Sequence, residues 1–303
     1  MTETVLLLCH RRAHDQDIDV FFSAWAASRA ELVRSLQHRS GFASYFQVQR
    51  VSRLHPVYVA LRLSRHPLIT AGISALKSLR PAMRRHSRAD LRDERWDLLE
   101  FFVWHHDPER VDHVELEDML GRLDFHAAGR VRRSQKIFAA RPACFGAQPM
   151  ADCAAVVTFC LRPRPGTGVS DMIDYWLRSH GPFVNGMRKA IGFARYEQIT
   201  AVRESRAGSG PRASSVPFAG AAVLGYRRMS DLAVGTVRPA TIVANLKLVW
   251  DESGFMDHQS SALVLGRVAN RLAFTAGVAR DPGELPLSKV PGEPLEIASR
   301  AAL

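Results

Sequence analysis

The chain repeats itself, and no other feature restricts its fold as strongly. Residues 25–51, "WAASRAELVRSLQHRSGFASYFQVQRV", align without a gap on residues 176–202, "WLRSHGPFVNGMRKAIGFARYEQITAV". Trp25/Trp176, Ser28/Ser179, Val33/Val184, Gly41/Gly192, Phe42/Phe193, Ala43/Ala194, Tyr45/Tyr196, Gln47/Gln198 and Val51/Val202 are identical pairs. The same separation pairs Val5 with Val156, Cys9 with Cys160 and Arg11 with Arg162 upstream. A constant spacing of this kind marks two copies of one supersecondary unit, a tandem duplication.

Each copy carries the same order of signals. An apolar run, "TVLLLCHR" or "AAVVTFCLR", reads as a buried strand. A helix follows, with apolar residues recurring at three and four: Phe22, Trp25, Leu32, Val33 and Leu36, then Ile173, Trp176, Phe183, Val184 and Met187. Alternation in "FASYFQVQRV" and "FARYEQITAV" gives a half-exposed strand. A third strand is expected at "VYVALRL" and "AGAAVLGYR", then a helical region, then a closing strand at "LLEFFVW" and "SALVLGRV". That order is βαββαβ, the ferredoxin-like pattern. The expected fold is therefore α+β, two tandem ferredoxin-like βαββαβ units forming an intramolecular pseudo-dimeric α/β barrel. The units are placed at residues 1–105 and 151–274. A linker with one short helix ("VELEDMLGRL") fills 106–150, "AGSGPRASS" is a loop, and 275–303 form an irregular tail.

Composition narrows the function classes. The apolar fraction of 47% with 23% charged residues is globular composition. The net charge of +11 is nearly all arginine, the only lysines being Lys77, Lys136, Lys189, Lys247 and Lys289. The basic stretches "SLRPAMRRHSRADLR" and "GRVRRSQK" have no interleaved aromatics on which bases would stack, so a nucleic-acid role is not expected. No run approaches the roughly 18 apolar residues that span a bilayer, and residues 5–9 are too short a run for a signal sequence. The expectation is a cytoplasmic, soluble protein with no membrane partner. Cys9, Cys144, Cys153 and Cys160 show no metal spacing and read as free thiols. GxSxG, P-loop, Rossmann and HExxH motifs are absent from the sequence.

The segment Trp176, His180-Gly181-Pro182 and Phe193-Ala194-Arg195-Tyr196-Glu197-Gln198 resembles the EthD-like branch of the dimeric α/β-barrel superfamily. Within "DESGFMDHQSSALVL", Glu252, Phe255, Asp257 and His258 stand where that family has an acidic approach to its last strand. The resemblance covers residues 154–268 and, by repeat symmetry, 4–105. It implies a cavity between sheet and helices and a hydrophobic, aromatic or polyketide-like small-molecule ligand. It also implies cofactor-independent lyase, cyclase or monooxygenase chemistry; related duplicated barrels bind haem. Two departures stand out. "AGAAV" lacks the acids of the family's Asp-Gly-x-x-Glu, and the first copy has Arg29-Ala30-Glu31 in place of His-Gly-Pro.

His180 is the candidate catalytic residue. It lies four residues after Trp176, on the helix face turned toward the sheet. Pro182 cannot donate a backbone hydrogen bond and disfavours helical geometry at Gly181, so the helix is expected to break or kink there. An imidazole with an ordinary pKa near 6.5 beside that opening suits proton transfer. The plainer reading is a buried histidine bonded to a carbonyl. Trp176, Tyr196, Gln198, Asp257, His258 and Arg29 are the candidate substrate contacts. Tyr196 and Gln198 share one strand face, yet Tyr45 and Gln47 repeat them in the copy without the histidine, which also fits packing. His105-His106-Asp107 is no metal site, because adjacent strand residues point apart.

Three functions follow. The first is a cofactor-independent lyase, isomerase or cyclase using His180 as acid or base. The second is a small-molecule carrier or accessory barrel, and the third a haem-binding barrel with His180, His258 or another histidine as axial ligand. Further oligomerisation beyond the internal pseudo-dimer stays open.

Overall fold

The computed structural model describes residues 3–13, 16–51, 96–127, 130–202, 218–257 and 261–274. Eight strands close into a barrel: β1 (Glu3–Arg12), β2 (Ser44–Arg50), β3 (Leu98–Trp104), β4 (Val131–Phe145), β5 (Ala155–Leu161), β6 (Arg195–Ala201), β7 (Gly220–Tyr226) and β8 (Ala262–Ala273). Around the barrel they run β1-β3-β2-β8-β5-β7-β6-β4, every pair antiparallel. Each half thus follows one order: β4-β1-β3-β2 in the first and β8-β5-β7-β6 in the second.

Two expectations about the first half are corrected by this order. Leu98–Trp104 does not close the unit; it lies between β1 and β2, where β7 lies between β5 and β6. The closing strand is β4, fifteen residues long, within the segment 106–150 expected to be a linker. That segment also holds helix α2 (His113–Ala127), so its content is a helix and a long strand, not connection. Sequence pattern hides β4 because "VRRSQKIFAARPACF" carries four basic residues and a proline. Pro142 has no N–H to give, and it sits where the pairing of β4 with β6 jumps from Ala140 to Ala143. The expected strand at residues 57–63, the loop at 207–215 and the tail from 275 lie outside the described residues.

Strands with both faces buried explain the unbroken apolar runs. One face fills the barrel: Val5, Leu7, Cys9, Phe46, Val48, Leu99, Phe101, Val156, Cys160, Ile199, Val223 and Val264 pack in one cluster. Phe46 and Phe101 stack there with centroids 4.6 Å apart. The other face packs under helices. Over the first half lie α1 (Ile18–Ser40) and α2. Over the second lie α3 (Val169–Tyr175), a π-helical turn (Trp176–His180), α4 (Gly181–Gly186), α5 (Arg188–Ile191), α6 (Met229–Val237) and α7 (Pro239–Glu252). Each fully buried aliphatic or aromatic side chain in these layers contributes about 1.5–3 kcal/mol relative to exposure.

α1 opens on Asp17, whose side chain accepts from the Asp19 and Val20 N–H groups, and ends at Gly41 in the left-handed region (φ 63°). Gly192 ends the matching helical stretch at φ 84°, which is why both repeats carry glycine there. Among the described residues, no helix is long and apolar enough to cross a membrane.

Candidate functional site

The opening at His-Gly-Pro is a widened turn rather than a break. Trp176, His180 and Gly181 all keep right-handed helical torsions. Pro182 cannot donate to the carbonyl four residues back, and its ring crowds that carbonyl. The helix answers with a π turn over Trp176–His180, in which the Gly181 N–H reaches the Trp176 carbonyl. That carbonyl also accepts from Gln198 Nε2 at 2.8 Å. Gln198 is able to reach it because residue 181 is glycine: a Cβ there would collide with Gln198 Oε1.

The widened turn carries His180 toward the C-terminal end of α7. Its Nδ1 lies 2.6 Å from Asp251 Oδ2, and Tyr175 Oη donates to Asp251 Oδ1 at 2.5 Å. Phe255 stands edge-on to the imidazole with centroids 5.0 Å apart, and 5.2 Å from Tyr175. A cavity of about 350 Å³ is lined by Tyr175, Trp250, Asp251, Gly254 and Phe255. A second hollow of about 290 Å³, lined by Phe183, Leu246, Lys247, Trp250 and Asp251, meets it at the last two residues. Tyr175, Phe183 and Trp250 are all exposed large aromatics, an apolar rim of the kind that marks a binding site. Asp251 is therefore the carboxylate that both hollows reach, with His180 drawn back behind it. Nδ1 faces Asp251, and among the described residues no hydrogen bond reaches Nε2.

The other candidates divide. Trp176, Tyr196 and Gln198 are fully buried together behind the π turn, Phe145 stacking on Tyr196 at 5.6 Å. Burial pushes the Tyr196 phenol pKa up, while Trp176 and Gln198 beside it pull the other way. Asp257 sits past the Pro163–Met256 bridge, its backbone tied to Arg162 and Ser261. His258 lies outside the described residues.

Arg29 belongs to the first half alone. Its Nε and Nη2 grip both oxygens of Glu100, at 2.9 and 2.6 Å, inside a sealed network. Trp25 Nε1 and Tyr45 Oη donate to Glu100 Oε1 at 3.2 and 2.5 Å, and His10 Nε2 lies 2.8 Å from Oε2. Burial alone would raise the Glu100 carboxyl pKa, but Arg29 and His10 hold it well below the usual carboxylate range. Burial lowers His10, outweighing the opposite pull of Glu100. An arginine on an apolar helix stripe needs a partner or water; here it has a partner, Glu100, in a place closed to solvent.

Asp251, Tyr175 and Trp250 were not singled out by sequence reasoning. Their signal was weak. Asp251 precedes Glu252, the acid that the family resemblance pointed to, and only the angle of α7 decides which of the two meets His180.

No protein-family model and no curated protein sequence matches the chain. Solved structures do resemble it. An anthrone oxidase-like protein superposes with a TM-score of 0.55 at 10% identity, over 91% of this chain and 97% of its own. A candidate monooxygenase from Fusobacterium nucleatum subsp. nucleatum gives 0.46 at 8%, over 90% and 94%. A haem-binding protein from Thermus thermophilus gives 0.40 at 13%, over 88% and 92%. At such identities the first of these likenesses is one of fold alone: the chain shares an α/β-barrel fold with it.

Proposed function

We propose that the chain is a duplicated EthD-like barrel whose second half moves a proton on a hydrophobic, aromatic or polyketide-like molecule. The first ferredoxin-like unit then runs to about Phe145 at the end of β4, and the second from β5 to β8. The observation that carries this reading is the Tyr175–Asp251–His180 chain at the edge of an aromatic-rimmed cavity. Asp251 fixes the imidazole with its proton on Nδ1, so Nε2 is the basic atom. Nε2 takes a proton from a carbon beside a carbonyl, leaving an enolate. The imidazolium pairs with Asp251 until the proton returns to the same or another atom. Isomerisation, cyclisation and elimination all start from that step, and the protein need supply nothing else.

Hydrogen–deuterium exchange tests the step apart from its sequel. Anthrone, whose ring CH2 is activated by a carbonyl, is the probe. The chain should accelerate exchange at that carbon in deuterated buffer, and His180→Ala should lower the acceleration by about 10²–10⁴-fold. An unchanged rate in a folded His180→Ala variant sinks the reading.

A carrier without chemistry is the second reading, and it draws on the near-complete burial of the His180 ring, 6% exposed. A haem site fits poorly. A tetrapyrrole needs a histidine nitrogen facing an open flat cleft, but Phe255 and Asp251 crowd the His180 ring, and His10 has both nitrogens engaged, by Ser134 and Glu100.

A further inference from the structure

We infer that the second half holds a cradle for a neutral hydroxyl group, a phenol or enol on a flat apolar molecule, at the place that the first half fills with its own Glu100. The inference rests on the proton-transfer reading and names the substrate class of that site. Barrel register supplies the correspondence. Glu100 pairs with Leu8 and Gln47; Ala222 pairs with Phe159 and Gln198. In the first half the Trp25 N–H and the Tyr45 hydroxyl converge on one oxygen of Glu100. The second half repeats that tryptophan and tyrosine as Trp176 and Tyr196, but alanine stands where the carboxylate would be. Relative to the first half, the side chain at this register position is shorter by a methylene and a carboxyl group.

The polar atoms around that space are left over. Trp176 Nε1, Tyr196 Oη and Gln198 Oε1 are buried and, among the described residues, make no hydrogen bond of ordinary geometry. Trp176 and Gln198 stand beside the Tyr196 hydroxyl and answer it only loosely, and buried polar atoms held this loosely favour a group that pairs with them better.

The matching rows of the two halves differ in burial beside this position. The cross-strand row through Ala222 reads Leu263, Phe159, Ala222, Gln198. Leu263 is 38% exposed, Phe159 half-buried and Ala222 still 7% exposed, while Gln198 is sealed. Leu8 and Glu100, at the matching places in the first half, are 2% and 0% exposed. An apolar ramp thus descends from the rim to the three polar atoms.

Their chemistry selects the group. Indole N–H only donates, a tyrosine hydroxyl is able to donate, and Gln198 Oε1 only accepts. The amide is not free to turn over, because its Nε2 already donates to the Trp176 carbonyl. A hydroxyl oxygen accepts from Trp176 and Tyr196 while its proton goes to Gln198, satisfying all three. A carboxylate has no proton for Gln198. It also lacks the arginine that neutralises Glu100, since His180 stands in place of Arg29 and is committed to Asp251. Glu252 adds negative charge beside Tyr196. An ether accepts but cannot donate.

The test is a titration of the full chain at pH 7 with 2-naphthol, 2-methoxynaphthalene and 2-naphthoate, followed by calorimetry and tryptophan fluorescence. Expected is binding of the naphthol at least about tenfold tighter than either analogue. Ala222→Leu should abolish it with the circular-dichroism spectrum unchanged. Ala222→Glu/His180→Arg, which rebuilds the first-half arrangement, should fold and not bind. His180→Ala should still bind naphthol while losing proton exchange. The inference is overturned if naphthol does not bind, if the ether or carboxylate equals it, or if Ala222→Leu binds as the parent does; the cradle then holds only water. His180-dependent exchange of anthrone in that event leaves the proton-transfer reading standing.

Discussion

Replacing Glu100 by glutamine should destabilise the protein more than almost any other single conservative change. The carboxylate accepts from Trp25, Tyr45 and twice from Arg29, and meets His10 at 2.8 Å, with Arg29 and Glu100 both sealed from solvent. A glutamine of the same shape loses the charge and turns an amide N–H toward groups that are themselves donors. Arg29 is then a buried cation without a counter-ion, a change that costs about 3–5 kcal/mol. Domains are stable by about 5–15 kcal/mol, so about a fifth or more of the total is at stake. For a protein of this size the melting temperature should fall by about 10 °C. Urea unfolding and calorimetry of Glu100→Leu, Arg29→Met and Glu100→Leu/Arg29→Met close the cycle, with Glu100→Gln measured beside them. The double variant removes both charges together, so it should recover most of the loss. A loss under about 1 kcal/mol in Glu100→Gln, or a double variant equal to the sum of its singles, would refute the argument that the pair acts as one unit.

Acid should weaken the same region. His10 is held down by burial, and His126 is lowered to about 4 by burial and then Arg29, so below about pH 6.5 the unfolded chain binds protons that the folded chain refuses. Stability is then fully present above about 6.5 and falls toward about pH 4, with Glu100, held below its usual range, adding a loss below about 5. Urea midpoints between about pH 8 and 4 check this: His126→Gln should flatten the upper part of the decline, and a midpoint independent of pH rules it out. At the π turn, Gly181→Ala drives a Cβ into Gln198 Oε1 and should cost about 1–3 kcal/mol, relieved in Gly181→Ala/Gln198→Ala. Gly220→Ala should have no such rescue, because its Cβ meets the Ile199 backbone oxygen, which no side-chain change removes. Thermal melts of these variants decide both points.

Much of the fold was legible because the signals are local. Apolar runs wrote β1 and β5, and three-four spacing wrote α1. β4 was missed because its stability does not come from its own pattern. Its backbone is paired on both sides, by β1 and β6, which lets a strand carry Arg132, Arg133, Lys136 and Arg141. Arg141 is answered by Glu3 and by Glu197, residues far from it in the chain. Leu98–Trp104 looked like a strand and is one, but no local feature says that it lies second rather than last.

The candidate site divides along the same line. By itself the sequence determined that Trp, Tyr and Gln recur at matching positions in two copies, and that a His-Gly-Pro replaces Arg-Ala-Glu in one of them. Spacing along a single helix or strand is enough to establish that. Only the tertiary structure decided what each set meets: Glu100 binds the first, Ala222 stands at the matching register in the second, and Asp251 receives His180 across 71 residues of chain. Those partners are set by strand register and helix angle. Both are products of how distant segments pack, and no short stretch of sequence encodes them.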